Sequence, residues 1–212
     1  MPYLSQGKFT IRNLNILDLI QVADLHCKAF EDSALTKLGK EPVRRYYEWQ
    51  ITGPHESYFV GVFDRERLVG FCVGGVFRGA LRGFLNKNKN FLLGWVLKRP
   101  WLLTNSLIQE RIKLSFHVLR IKRSVNPSKI NISGSSFGIL SIAVDPEIQG
   151  FGVGKIILDD IENTAKTAGY NKMHLSVHPS NLVAVSFYEK NGWIKRNDTA
   201  GIWTGDMEKD IS

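Results

Sequence analysis

The stretch Val144-Asp145-Pro146-Glu147-Ile148-Gln149-Gly150-Phe151-Gly152-Val153-Gly154-Lys155 decides the reading of the fold. It starts where a mostly apolar run, Phe137 to Val144, ends. That run suits a central strand, and Pro146 pushes the residue before it into extended geometry. Beyond the glycines, Ile156, Ile157, Ile161 and Ala165 mark the buried stripe of a helix that stops near Gly169, and Lys172 to Val177 reads as another strand. Strand, glycine turn, helix and strand make a βαβ unit. Glycines in such a turn let backbone N–H groups approach a ligand without Cβ interference, and the helix start adds unpaired donors and about half a positive charge. The turn is therefore a candidate anion cradle, formed by Gln149, Gly150, Phe151, Gly152, Val153, Gly154 and Lys155. A ligand-free tight connection is the alternative. A P-loop needs four residues between its first glycine and Gly-Lys, but three separate Gly150 from Gly154, and Ile156 stands where a hydroxyl would bind magnesium. In a dinucleotide fingerprint, Lys155 would have to be the third glycine.

Outward from this unit, Asn181 to Lys190 is predicted to be helical, with Asn191-Gly192 as a left-handed cap, and Trp193 to Lys195 and Ile202 to Lys209 can close a sheet as two strands. Toward the N-terminus, Lys8 to Arg12 alternates like a short strand. Asn15 then precedes Ile16, Leu17, Leu19, Ile20, Ala23 and Leu25 at helical spacing, with Asp18 in the first turn. Pro42 to Ile51 reads as a helix ended by Gly53-Pro54. Ser57 to Phe63 and Arg67 to Phe77 form a hairpin around Asp64-Arg65-Glu66. Between Arg78 and Gly134 long apolar stretches, Phe91 to Leu97 and Trp101 to Leu119, predict two or three helices.

The span from Gly138 to Trp193 resembles the GCN5-related N-acetyltransferase superfamily, and weaker likeness covers nearly the whole chain. Gln149-Gly150-Phe151-Gly152-Val153-Gly154 matches that family's pyrophosphate signature, Q/R-x-x-G-x-G/A, after a typical Val144-Asp145-Pro146 strand end. Asn181, Ala184, Phe187-Tyr188 and Gly192-Trp193 match its second half. The resemblance implies an α/β (α+β) fold: one domain over residues 1–212, with a single mixed, mostly antiparallel sheet of about seven strands and flanking helices. A basic helical insert at about 78–134, between the third and fourth strands, departs from the compact family pattern.

The same resemblance implies acetyl-CoA as cosubstrate and no metal. The strand ending at Val144 is expected to splay from its neighbour, with main-chain groups of Ile142 and Val144 pairing with pantetheine and a backbone N–H near Val144 polarising the thioester carbonyl. Tyr188 is expected to protonate the departing thiolate. Asn181 either orients the cofactor or caps its helix. No acid lies between Gly138 and Val144 to serve as a general base, which leaves Ser141 through water, Glu31 or Asp32, or His178, the favoured candidate. His174, Ser176 and His178 also fit a partly solvated polar strand face.

The chain has 212 residues and a formal net charge of +8, with 43% hydrophobic and 23% charged residues, the composition of an ordinary globular domain. Its charge is local: Arg78 to Gly134 holds twelve of the 28 basic residues and one of the 20 acids, Glu110, so the remainder is slightly acidic. No apolar run is long enough to span a bilayer and the start lacks a signal-peptide pattern, making the cytoplasm the expected compartment. Cys27 and Cys72 read as buried thiols, without zinc or disulfide spacing. The insert's bases interleave with Phe84, Phe91, Trp95 and Trp101, which suits a nucleotide diphosphate, weak contact with an anionic membrane surface, or solvated helix faces. The absence of a reader motif argues against nucleic acid. The leading functional expectation is N-acetylation of a primary amine on a small molecule, such as a nucleotide-linked amino sugar. A peptide or protein amine, favoured by His178-Pro179-Ser180-Asn181, and a non-catalytic acyl-CoA-binding or membrane-peripheral module are the alternatives.

Overall fold

In the computed structural model, which describes residues 9–77, 80–110, 112–113, 136–197 and 201–212, one sheet runs through the molecule. Its strands are Phe9–Asn13 (β1), Glu56–Asp64 (β2), Arg67–Val76 (β3), Phe137–Val144 (β4), Lys172–Ser176 (β5), Ile194–Asn197 (β6) and Trp203–Asp210 (β7), in the order β1-β2-β3-β4-β5-β7-β6. Every pairing is antiparallel except β4 with β5. The helices are Leu19–Ala29 (α1), Ala34–Leu38 (α2), Lys40–Thr52 (α3), Ala80–Leu97 (α4), Val153–Thr167 (α5) and Leu182–Lys190 (α6), with single 3-10 turns at Ile16–Asp18, Pro100–Thr104 and Pro146–Ile148. The expected helical segment between the third and fourth strands is present as α4, the turn after it and a helical stretch at 106–110. The predicted run beyond Lys113 lies outside the described residues, as does Lys8.

Each sheet face buries its own core. Val60, Val62, Cys72, Phe137 and Ile139 meet Ile157, Leu158 and Ile161 of α5 and Tyr188 of α6 on one side. Phe59, Phe63, Phe71, Val73 and Ala143 meet Leu19, Val22, Ala23 and Leu25 of α1 and Val43 and Tyr47 of α3 on the other. Alternating strand residues supply the two sets, as the strand period of two requires.

Some readings shift. Asn15 does cap, accepting from the Leu17 amide at 2.8 Å while Asp18 accepts from the Asn15 amide at 2.9 Å, but this box opens a 3-10 turn and α1 begins at Leu19. Ile16, Leu17 and Ile20 are exposed, and the buried stripe is Leu19, Val22, Ala23, Leu25 and His26. Ile156 is also exposed. The stripe of α5 widens on the opposite flank, through Leu158, because rows four residues apart run Val153, Ile157, Ile161, Ala165. Cys72 is buried but Cys27 only half-buried, and both are free thiols. The short helix α2 has no strong periodic signal in sequence.

Glycines on β3 set how closely α5 lies on the sheet. A Cβ at Gly70 would stand 2.6 Å from Ile157 Cδ1 and 2.9 Å from Val153 Cγ1, and one at Gly74 would stand 3.1 Å from Ile161 Cδ1. Gly70→Ala is expected to lower stability by about 1–3 kcal/mol through overpacking, read as a lower urea midpoint at unchanged m-value. An unchanged midpoint would show that α5 can shift without penalty.

Candidate active site

β4 changes partners partway along its length. On β3, Val73 faces Ser141 while Gly74 faces Ile139, so Leu140 is the extra residue of a bulge. On β5, pairing is confined to Phe137↔Met173, Gly138↔His174 and Ile139↔Leu175. From Leu140 to Val144, β4 keeps β3 as its neighbour and parts from β5, leaving a wedge between them. The Asp145 amide donates to Val69 O at 2.9 Å, and strand alternation then turns the N–H groups of Ile142 and Val144 away from β3, toward the wedge. Gln149 Nε2 donates to Val144 O at 3.4 Å.

At the mouth of the wedge, Asp145 is buried at 2% exposure and bound by Arg67, with Lys28 at 3.7 Å and the Glu147 amide at 3.2 Å. Burial alone would raise its carboxyl pKa; these partners outweigh it and hold the group below the usual carboxylate range. The chain then turns through Gly150 at φ 86° and Gly152 at φ 84°, left-handed values that glycine adopts without strain. A Cβ at either would meet no atom within 4 Å, so the space over the turn is open. The first helical bond of α5 runs from Ile156 N to Gly152 O, so the amides of Val153, Gly154 and Lys155 precede it, and no side chain caps them. Val153's own side chain is core, Phe151's is exposed, and Lys155 pairs with Asp159 one helical turn on.

Tyr188 joins the wall on the α5 side. It is 5% exposed and lies in the same core cluster as Cys72, Ile142 and Val144, with ring centroids 5.4 Å from Phe187 and 5.8 Å from Trp193. Burial pushes its hydroxyl pKa well above the ordinary value, so Tyr188 stays protonated through neutral pH. Asn181 is the N-cap of α6, its Oδ1 accepting from the Ala184 amide at 3.1 Å. His178 lies beyond the end of β5 in an exposed turn, where its Nδ1 accepts from the Ser180 amide at 3.3 Å and sits 2.7 Å from Ser180 Oγ. The structure therefore gathers Ile142, Val144, the glycine turn and Tyr188 around the wedge, and holds His178 by local contacts.

A buried polar chain on the opposite face has no counterpart in local sequence pattern. Tyr47 Oη donates to Ser141 Oγ at 3.0 Å and lies 2.8 Å from His26 Nδ1. A phenol has one proton, so His26 must supply the other hydrogen bond, which assigns it the Nδ1–H tautomer. His26 and Tyr47 are 7% and 0% exposed, and burial drives the imidazole pKa down to about 4. Beside them, a surface cleft of about 390 Å³ is lined by Asp24, Cys27, Lys28, Glu31, Lys40 and the Arg67–Asp145 pair. Among the described residues no cluster of His, Cys, Asp or Glu could hold a metal ion.

Residues 119–193, which include β4, the glycine turn, α5, β5 and α6, match the Acetyltransferase (GNAT) family. Solved structures agree over most of the chain. The PaiA N-acetyltransferase of Thermoplasma acidophilum, in complex with coenzyme A, superposes with TM-score 0.58 at 18% identity, covering 95% of this chain and 98% of that one. The ribosomal-protein-S18-alanine N-acetyltransferase of Escherichia coli gives 0.57 at 15%, covering 96% and 94%. The fold is that of these acetyltransferases, and the family match itself is carried by residues 119–193. A curated relative, the [ribosomal protein bS18]-alanine N-acetyltransferase of Salmonella typhimurium, is 35% identical over 63 residues, 28% of this chain. The chain spans 43% of that relative's length. The splay expected of a GNAT strand at Val144 is present, and it begins at the Leu140 bulge.

His26 supplies a pH test of the buried chain. Its folded pKa lies below the unfolded value of about 6.5, so the unfolded state binds more protons between the two. Stability is thus complete above about pH 6.5 and falls as pH drops toward 4, by roughly 3 kcal/mol from this group. Urea unfolding from pH 7 to 4 should show a steeper loss in the wild type than in His26→Gln; parallel profiles would place His26 outside the core.

Proposed function

We propose that this chain transfers the acetyl group of acetyl-CoA to a primary amine, and that the amine is the N-terminal α-amine of a peptide or protein. The observation that carries the donor half is the wedge, an unpaired edge of β4 that leads to an open glycine turn at a helix start. The cosubstrate fits these groups. Its amide-bearing arm suits main-chain groups of Ile142 and Val144, in the manner of an added strand. Its pyrophosphate suits the amides of the turn from Gln149, Gly150, Phe151 and Gly152 to Val153, Gly154 and Lys155, with the dipole of α5 behind them.

Acetyl-CoA brings an acyl group already activated as a thioester. The chain's part is to aim it and to handle charge. A wedge-facing N–H of β4 polarises the acyl oxygen as negative charge develops there. As the N–C bond forms and the C–S bond breaks, Tyr188, kept neutral by burial, donates its proton to the departing sulfur, and the proton released by the amine nitrogen restores the phenol. Asn181 acts through the N-cap that fixes α6, and so Tyr188, in place. Ser141, held by Tyr47 and His26 at the bulge, accepts a hydrogen bond from the incoming amine. His178, whose Nδ1 accepts from the Ser180 amide, carries its own proton on Nε2 and stays turned to this local contact.

Two points favour an α-amine. An α-amine titrates near 7.7–8.0, so about a tenth is neutral at pH 7, whereas a lysine side chain near 10.4 is neutral in fewer than about one molecule in a thousand. A site with no carboxylate between Gly138 and Val144 suits the former. The relative matched over 63 residues is named for an alanine of a ribosomal protein. Nothing in the comparisons supports a nucleotide-linked amino sugar.

Release of free coenzyme A measures this directly. An alanine-terminated peptide should turn over at least tenfold faster than a nucleotide-linked amino sugar, and its Nα-blocked form should not turn over. A faster amino sugar would overturn the acceptor; tight acetyl-CoA binding without turnover of any amine would leave only a binding module. Tyr188→Phe should lower kcat by about 100-fold with the KM for acetyl-CoA little changed. Unaltered kcat across the pH range would remove Tyr188 from the reaction.

A further inference from the structure

α4 and the turn that follows it carry a surface that acyl transfer does not use. One side of α4 is packed down: Ala80, Phe84 and Asn88 are buried. Trp49 Nε1 donates to Ala80 O at 2.8 Å, and Trp95 Nε1 to Leu38 O at 2.8 Å. Arg45 from α3 lies over the Phe91 ring at 4.0 Å. Anchored in this way, the helix turns its other side to solvent. Leu93 and Leu97, one turn apart, are 63% and 71% exposed, and Trp101 and Leu103 on the next turn are 63% and 46% exposed. Exposed Lys89 stands one turn before Leu93, and exposed Lys98 follows Leu97. Between Arg78 and Gly134 the sequence offers one acid, Glu110, against twelve bases.

We propose that this face docks on an anionic lipid bilayer, with α4 lying in the plane of the interface. Aliphatic side chains flanked by lysines need a partner that is apolar inside and negative at its rim. A bilayer is built in that order, its acyl region taking leucine and tryptophan and its phosphates taking lysine and arginine. Nucleic acid matches the charge but not the leucines, because single strands are held by stacking on aromatic rings, and Trp101 is the one strongly exposed ring of this patch. No helix among the described residues is long and apolar enough to cross a membrane, which fits in-plane contact.

Cosedimentation of the full chain tests this without acetyl-CoA or an amine, so it stands apart from the acetyltransfer reading. Vesicles of equal parts phosphatidylcholine and phosphatidylglycerol should bind the protein at low salt, and vesicles of phosphatidylcholine alone about tenfold less. The double variants Leu93→Asp/Leu97→Asp and Lys89→Glu/Lys98→Glu, both at exposed positions, should each lose about tenfold in binding to the mixed vesicles while keeping the wild-type circular dichroism spectrum. Tryptophan emission should shift to the blue on adding mixed vesicles, and Trp101→Phe should abolish that shift. The idea fails if mixed vesicles do not bind, if the leucine variant binds as wild type, if the shift survives in Trp101→Phe, or if single-stranded RNA binds more tightly than the vesicles.

Discussion

Backbone groups on a strand must find partners, and the five residues from Leu140 to Val144 are given a strand on one side only. An edge of this kind normally attracts another strand, and proteins usually cover or blunt it. Here the bulge at Leu140 rotates β4 away from β5 just where their pairing stops, so the edge lies inside the sheet, between two strands that are neighbours three residues earlier. What can enter is narrow, extended and rich in hydrogen-bonding groups. Asp145, tied to Arg67 and approached by Lys28, fixes the end of the edge, and Pro146 prevents the strand from continuing. The glycine turn is placed by this termination.

Two helical layers then divide the work of holding the parted strands. α5 comes close because Gly70 and Gly74 present no side chain to it, and that approach sets its N-terminus beside Val144; even a Cβ at Gly154 would stand 3.8 Å from Val144 Cγ2. On the other face, α1 and α3 pack on Phe71, Val73 and Ala143, and they bring in a polar thread. His26, Tyr47 and Ser141 form hydrogen bonds that leave no net charge in the core, since burial keeps both the imidazole and the phenol neutral at pH 7. The thread reaches β4 at the residue after the bulge, where extended geometry is interrupted and a fixed side chain has most to stabilise.

Local chemistry was legible and long-range pairing was not. Phe137 to Val144 could be bounded from an apolar run closed by Asp-Pro, and the turn could be placed from glycines that proved to need positive φ at Gly150 and Gly152. The hairpin around Arg65 and the left-handed Gly192 follow from equally local signals. Ile16, Leu17 and Ile20 misled because hydrophobicity marks a helix face only when the helix begins where expected, and a 3-10 turn delayed α1 to Leu19. Lys155 sits in the turn as its position suggests, yet its ammonium is directed to Asp159, an i,i+4 pairing that competes with any distant anion. Tyr47 is 21 residues from His26 and 94 from Ser141, and no periodicity relates positions that meet only through packing.

The net charge of +8 also takes a different meaning once its carriers are placed. Around the glycine turn and Asp145 the cations are already paired, Lys155 with Asp159 and both Arg67 and Lys28 with Asp145, so the attraction available to phosphate there comes from oriented backbone amides. Such attraction acts over the first turn of a helix and depends on contact. In the described part of the insert, Lys89 and Lys98 meet no acid, and Arg99 lies against the Trp95 ring at 3.6 Å. Charge of that kind reaches outward about a Debye length, roughly 8 Å at physiological ionic strength, and fades as salt rises. Backbone amides of the turn would select an anion by geometry at close range, whereas lysines without an acidic partner act by field at a distance.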